Sequence, residues 1–370
     1  MSFSEPDTDI LVPSLDVRAL ARRAAVPAAL AAVAAGALVV AGGPLHAFAH
    51  ALRRAIDADP RWVIGGAIFE LLSFAGYVAL FWMVGSRATK RLGFSESTQV
   101  TLGGAAATRL LPTAGVGGAA MTLWSLRRAG LATRDATRTL LGFLIVLYSV
   151  FLTAILTSGG LISLGIVSGD GPLALSAIPA AGAALGIAGA LALSARRPRV
   201  ARRAARLNNA ADVFGAAVRE AIGHVRSADP RLLGALAWWT FDAAVLWAML
   251  HAFGAPPPFA VVVLAYFVGQ VGNTIPIPGA VSGGIVGVLV AFQVPADLAL
   301  VSVLAYRSIA IWLPAPIGLI ALGSLRRTTA RWSAEDAGEQ VVQTKPQAAP
   351  APVPVARTPR PCPEPALLAA

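Results

Sequence analysis

Charge is scarce in this chain: Asp, Glu, Lys and Arg together make up 13% of its 370 residues, about half the share usual in soluble globular domains. With 56% hydrophobic residues and several runs near twenty residues almost free of charge, a water-soluble fold is excluded and an integral membrane protein is expected. Cysteine is nearly absent. Cys362 is the only one, which rules out internal disulfides and thiolate metal sites. Lysine is almost missing too: Lys90 and Lys345 are the two lysines among thirty basic residues, and Arg abundance beside so much Ala and Gly reads as a bias of the whole chain. A net charge of +11 would suggest nucleic acid in a soluble protein, but these arginines cluster in loops between apolar spans. The preference for basic cytoplasmic loops already accounts for them, so no nucleic-acid partner is expected. There is no P-loop, dinucleotide fingerprint or Ser/His/Asp arrangement, so no cofactor is implied and the chain is not expected to be an enzyme.

What is present is a duplication. Two apolar stretches broken at their centres by Pro and Gly, Gly103 to Gly118 (GGAAATRLLPTAGVGG) and Gly269 to Gly284 (GQVGNTIPIPGAVSGG), recur 166 positions apart. Pro112, Gly117 and Gly118 align with Pro278, Gly283 and Gly284. Matched interruptions in the two halves of a membrane chain point to an internally repeated transport fold with a central site.

Six full spans are expected: Ala24 to Gly43, Trp62 to Val84, Thr139 to Thr157, Pro172 to Ser194, Arg231 to Phe253 and Ala299 to Gly323. The first follows a polar leader (1–23) and reads as an uncleaved anchor, although Ala47-Phe48-Ala49 is a weak cleavage signal. If Thr98 to Met121 crossed the bilayer fully, Arg127, Arg128, Arg134 and Arg138 would lie outside, against the charge rule. It is therefore expected to enter from the cytoplasm and return there, while Ala260 to Phe292 dips in from the opposite face. The fold class is thus an all-α polytopic membrane protein with six transmembrane helices, two opposed re-entrant hairpins and an inverted internal repeat. The repeat halves, about 62–194 and 231–323, lie within a membrane domain (24–327) and are joined by a basic segment (195–230). That segment carries Arg196, Arg197, Arg199, Arg202, Arg203 and Arg206, then an apolar face from Leu207 to Val225. It reads either as an amphipathic interfacial helix drawn to anionic lipid headgroups or as an ordinary basic loop. The Pro-, Ala- and Gln-rich tail, 328–370, is expected to be disordered, both termini are expected to be cytoplasmic, and no soluble catalytic domain is expected at either end.

The residues that resist the bilayer carry the chemistry. Of all charged side chains, Arg109, Arg307, Glu70 and Asp242 fall within membrane-embedded segments. Each costs about 2.5–3.5 kcal/mol at mid-bilayer when unpaired, so each is expected to face the bundle interior with a partner or ligand. Arg307 is expected to meet Glu70, and Arg109 is left to Asp242 by elimination. In one reading these charges are ion-pair glue. In the other, Arg109 and Arg307 hold an anionic headgroup, since guanidinium presents a planar fork that matches phosphate. The hairpin turns contain Pro112, Gly115, Gly117 and Gly118 in the first and Pro276, Pro278, Gly279, Gly283 and Gly284 in the second. Their glycines either let backbone approach a ligand at helix N-termini or let helices pack closely. Thr108, Gln270, Asn273, Thr274, Ser282 and Tyr306 are candidate polar lining. His46 and His50, at i, i+4 spacing, have no third ligand, and no metal site is expected.

The runs Arg109 to Leu131 (RLLPTAGVGGAAMTLWSLRRAGL) and Pro276 to Leu322 resemble the flippase-like membrane domain of lysylphosphatidylglycerol synthases and its free-standing relatives. In that family the second Gly-Pro stretch typically reads Pro-x-Pro-Gly-Gly-x-Gly, with a Glu soon after it and a Tyr-Arg in the last helix. Pro276, Pro278, Gly279, Tyr306 and Arg307 match; Ala280 and Ser282 stand in place of glycines, and no Glu appears before Asp297. The resemblance implies translocation of a phospholipid or lipid-linked substrate in a bacterial cytoplasmic membrane, and argues against lysyl transfer. The alternative is a non-transporting scaffold that binds anionic lipid and assists envelope glycosyltransferases. A third reading is an intramembrane enzyme.

Overall fold

The computed structural model describes residues 58–110, 116–195, 205–274, 277 and 279–344. Backbone N–H and C=O groups taken out of water must be paired within their own segment, and every regular element among the described residues is helical. In chain order these are α1 (Pro60–Ala88), α2 (Phe94–Leu110), α3 (Val116–Arg128), α4 (Thr133–Ser163), α5 (Leu173–Ala195), α6 (Ala205–Arg226), α7 (Leu233–Phe253), α8 (Phe259–Gln270), α9 (Ala280–Ala291), α10 (Ala296–Trp312) and α11 (Pro314–Thr344). A 3-10 turn (Pro230–Leu232) leads into α7 and another (Val271–Thr274) extends α8.

Five stretches are long and apolar enough to cross a membrane: Pro60–Ala88, Thr133–Ser163, Leu173–Ala195, Pro230–Phe253 and Ala296–Ala337. They cover five of the six expected spans to within one residue; the remaining one, Ala24 to Gly43, lies outside the described residues. Large apolar side chains stay exposed on the outside of the bundle, among them Ile64, Ile68, Ile178, Leu185, Leu319 and Ile320, as a lipid-facing surface requires.

Two expectations are corrected here. Within the span expected from Ala299 to Gly323, which falls in the apolar stretch Ala296–Ala337, the correction is to its continuity: α10 stops at Trp312, and α11 restarts at Pro314, whose ring suits a first helical position and cannot donate into a continuing ladder. Nor is the chain disordered from Thr328. The α11 helix runs on to Thr344 because it has something to hold: Leu325 and Trp332 are buried, Thr328 Oγ1 donates to Gln99 Oε1 at 2.8 Å, and Asp336 pairs with Arg91. Residues 345–370 lie outside the described residues.

The helix order repeats. A long helix, a folded-back pair and a further helix (α1 to α4) are followed, after α5 and α6, by a similar order in α7 to α10, although α10 has 17 residues against 31 in α4. The equivalent helices α1 and α7 pack along their lengths and run antiparallel, with Gly66 against Met249 and Val245 and Gly76 against Gly234 and Ala237. Ser73 Oγ ties them by donating to the Trp238 carbonyl at 2.9 Å. The two pairs fold back on glycine contacts. A Cβ on Gly118 would stand 2.8 Å from the Gly104 carbonyl oxygen, and one on Gly269 would stand 2.8 Å from the Ile285 nitrogen. At 12 residues each, α8 and α9 are about 18 Å long, too short for a hydrocarbon core of about 30 Å.

The basic segment between the halves forms α6, which lays Ala217, Val218 and Ala221 against α4 and α5. Arg138 pairs with Glu220, and Arg219 donates to the Ser194 carbonyl. Residues 196–204, with most of the arginine cluster, lie outside the described residues.

At the end of the molecule where α1 finishes and α7 begins, Arg87 binds Asp229 at 3.1 Å, Ser227 Oγ at 3.1 Å and the His224 ring. The Arg231 side chain also hydrogen-bonds Asp229 and is the main reason its carboxyl is held down to about 2. A carboxyl whose folded value is depressed stabilises the fold above the ordinary carboxylate range, and that contribution fades as pH falls through the folded value. Asp229→Asn is therefore expected to lower the melting temperature in detergent at neutral pH. The gap to wild type should close as both are acidified from about pH 4 towards about pH 2; a gap that persists unchanged would mean the ion pair contributes nothing.

Candidate functional site

At the level where α1 crosses α7 the bundle core turns polar. Asp242 on α7 is 2% exposed, and its Oδ2 accepts hydrogen bonds from the Tyr266 hydroxyl on α8 and from the Tyr306 hydroxyl on α10, the latter at 3.3 Å. Gln270 Nε2 donates to the Tyr306 hydroxyl at 3.1 Å. The local sequence explains the convergence. Tyr266 and Gln270 lie four apart and so share one face of α8. Asp242 falls on the face of α7 that also buries Trp239, Leu246 and Met249 at three- to four-residue spacing.

Glu70 joins from the other half. It is fully buried on α1, next to Phe69, which stacks on Phe241 at 6.0 Å, and it lies within electrostatic reach of the Tyr266 hydroxyl. An aromatic wall closes one side: Trp239 donates its Nε1 to the Leu147 carbonyl at 2.8 Å and packs against Phe151 and Phe267. Buried polar groups of this kind persist only when hydrogen-bonded. Three atoms depart from that rule among the described residues: Asp242 Oδ1, Glu70 Oε2 and Ser97 Oγ are buried with no hydrogen-bond partner.

Beside the cluster a crevice of about 250 Å³ opens between α1, α2 and the α10–α11 break. Its walls are Leu71, Phe74, Val78, Phe94, Leu102 and Pro314, with Glu70 the one charged residue lining it. Of its apolar walls, Leu71 and Phe94 are 50% and 60% exposed, as side chains that meet lipid are.

The expected site residues distribute unevenly. Glu70, Asp242, Gln270 and Tyr306 belong to one cluster. Arg307 is half-buried and is in none of the ion pairs among the described residues, so its expected meeting with Glu70 is corrected. The reason is rotation: one residue past Tyr306 is a turn of about 100° about the helix axis, so Arg307 leaves the face that looks at Asp242. Arg109 sits in the last turn of α2, but its side chain lies outside the described residues, as do Pro112, Gly115, Pro276 and Pro278. The pairing of Arg109 with Asp242 falls there too.

Thr108 Oγ1 donates back to the Gly104 carbonyl and Thr274 Oγ1 to that of Val271, so both hydroxyls are spent on their own helices. Asn273 and Thr274 are exposed at the tip of the second pair, and Ser282 is half-buried in α9. Gly118 and Gly284 serve close packing of the paired helices. Gly279 has φ +84° and forms the left-handed turn before α9, a conformation that favours glycine. Gly283 has open space around it, and Gly117 is half-buried at the start of α3. Tyr266 was not singled out from sequence. The signal available was its scarcity and place: one of four tyrosines, in an apolar run, four residues before Gln270.

Among the described residues no group of three or more His, Cys, Asp or Glu side chains could hold a metal. Compared with known proteins, the chain matches the family described as the lysylphosphatidylglycerol synthase TM region over residues 25–318. No curated protein matches it.

Proposed function

Because the chain belongs to the lysylphosphatidylglycerol synthase transmembrane-region family, a family of membrane proteins, we propose that it translocates a lipid or lipid-linked headgroup across the bilayer. The observation that carries this reading is the buried polar cluster at the α1–α7 crossing, with an apolar crevice ending on one of its members. A packed apolar core needs neither. A translocator needs both: a polar path for the headgroup, and an apolar flank that leaves the acyl chains in lipid.

In this reading the two halves are an inverted repeat whose short helix pairs dip in from opposite faces, and one half rocks on the other. The antiparallel run of α1 and α7 and the shortness of α8 and α9 support it. Arg307, with Arg109 where its helix ends beside the first hairpin turn, holds a phosphate-bearing headgroup through its guanidinium fork. The N-terminal end of α9, after Gly279, adds the positive end of a helix dipole. The protein works in a bacterial cytoplasmic membrane with both termini cytoplasmic.

The test is reconstitution into phosphatidylglycerol-containing vesicles with a fluorescent headgroup-labelled phospholipid and an impermeant quencher. Wild-type protein is expected to expose inner-leaflet label faster than protein-free vesicles. Equal rates would overturn translocation. A phenotype in cells that follows neutralisation of Arg196 to Arg206 or truncation after Arg331, with vesicle rates at background, would favour the scaffold instead.

A further inference from the structure

We propose that Asp242 is a proton-loading site, taking up a proton at Oδ1 and releasing it during the conformational cycle. Its role in driving transport rests on the translocation reading above; its existence as a site does not. Three observations lead there. Asp242 is 2% exposed in the middle of a span, yet its Oδ1 has no donor, while both tyrosine hydroxyls direct their protons to Oδ2. An uncompensated carboxylate in low-dielectric surroundings is costly, and one proton on the vacant oxygen removes the charge. Glu70 Oε2 is also buried without a hydrogen-bond partner, but two such oxygens are fewer than a cation such as sodium needs, and among the described residues no group of three or more acidic, His or Cys side chains could hold a metal, so the ligand is a proton.

The groups facing Asp242 from the packed elements are consistent with this. Tyr266 comes from α8, Tyr306 from α10, and Glu70 from α1 at the same level. The α4 face contributes Tyr148, which packs against Trp239, while its charged residues Arg134, Asp135 and Arg138 lie in its first two turns. On α7 itself the other titratable residue is His251, more than two turns away near the helix end. Arg307 follows Tyr306 on α10, about 100° round the helix axis, and is in no ion pair among the described residues. With Glu70, Tyr266 and Tyr306 all at 1% exposure or less, the site is closed to water in this conformation. Loading therefore requires the halves to part. The step balances simply: a carboxylate and a proton from the water of one compartment give a carboxylic acid, and the proton leaves to water on the other side.

The experiment is pH-difference infrared spectroscopy on the full chain, wild type beside Asp242→Asn and Glu70→Gln. A carboxylic C=O band that appears on acidification is expected in wild type and Glu70→Gln and lost in Asp242→Asn. Tyr306→Phe, which removes a donor to Oδ2, is expected to shift the band, and this keeps the test decisive if the asparagine variant does not fold. A band that survives Asp242→Asn, is lost in Glu70→Gln instead, or is unmoved by Tyr306→Phe overturns the proposal. In vesicles, an imposed pH gradient should change the translocation rate of wild type but not of Asp242→Asn, whereas a response to a sodium gradient alone would overturn it. If wild type shows no translocation at all, the function proposed above fails, while the infrared result still decides the proton site.

Discussion

Gly76→Val is expected to lower the melting temperature in detergent by several degrees and to abolish whatever activity the protein has, while Gly65→Val, on the same helix, leaves both unchanged. A Cβ at Gly76 would stand 2.7 Å from the Ala237 Cβ, 2.8 Å from the Gly234 carbonyl oxygen and 3.0 Å from the Trp238 nitrogen. Two of those three atoms are α7 backbone, so relief requires the helices to separate. Gly234 meets α1 in the same way, its Cβ position 2.2 Å from the Gly76 carbonyl oxygen. Overpacking of this kind costs about 1–3 kcal/mol, and a clash against backbone belongs at the upper end. At Gly65 an added Cβ meets nothing within 4 Å. Because α1 carries Glu70 and α7 carries Asp242, parting the helices also takes the polar cluster apart. If the two variants melt alike, the glycine crossing is not what holds the halves together.

Arg307→Ala is expected to reduce translocation in vesicles by about tenfold to a hundredfold, since a charge-assisted hydrogen bond contributes about 1.5–3 kcal/mol and each 1.4 kcal/mol is tenfold. The same variant should melt no lower than wild type. An arginine within a membrane segment costs about 2.5–3.5 kcal/mol, and this one is in no ion pair among the described residues, so removing it relieves a cost rather than breaking a contact. Arg307→Lys keeps the charge and loses the fork, and should fall between. Loss of activity together with loss of stability would mean that Arg307 is structural glue, the reading that the headgroup proposal has to displace.

Much of the architecture is legible in the sequence. Apolar runs marked the long helices, and Pro and Gly at Gly103 to Gly118 and Gly269 to Gly284 marked the two folded-back pairs, because length and breaking residues are local properties. The scarcity of buried charge singled out Glu70 and Asp242, both of which the structure buries in the polar cluster. The errors share a cause. Sequence spacing places Arg307 and Glu70 within their helices but says nothing about rotation around the helix axis. Disorder from Thr328 was read from composition, which does not register that Trp332 and Leu325 are covered by neighbouring elements. Tyr266 was passed over because a tyrosine in an apolar run carries no mark of its hydrogen-bond partner.

The sequence by itself determined that this chain enters a membrane as helices, since a bilayer admits few backbone solutions and hydropathy reports which one is used. Only the tertiary structure decided that Asp242 would accept hydrogen bonds from two tyrosine hydroxyls, and that one of its oxygens would be left over. Those contacts depend on how antiparallel helices rotate when glycines such as Gly76 and Gly234 let their backbones touch.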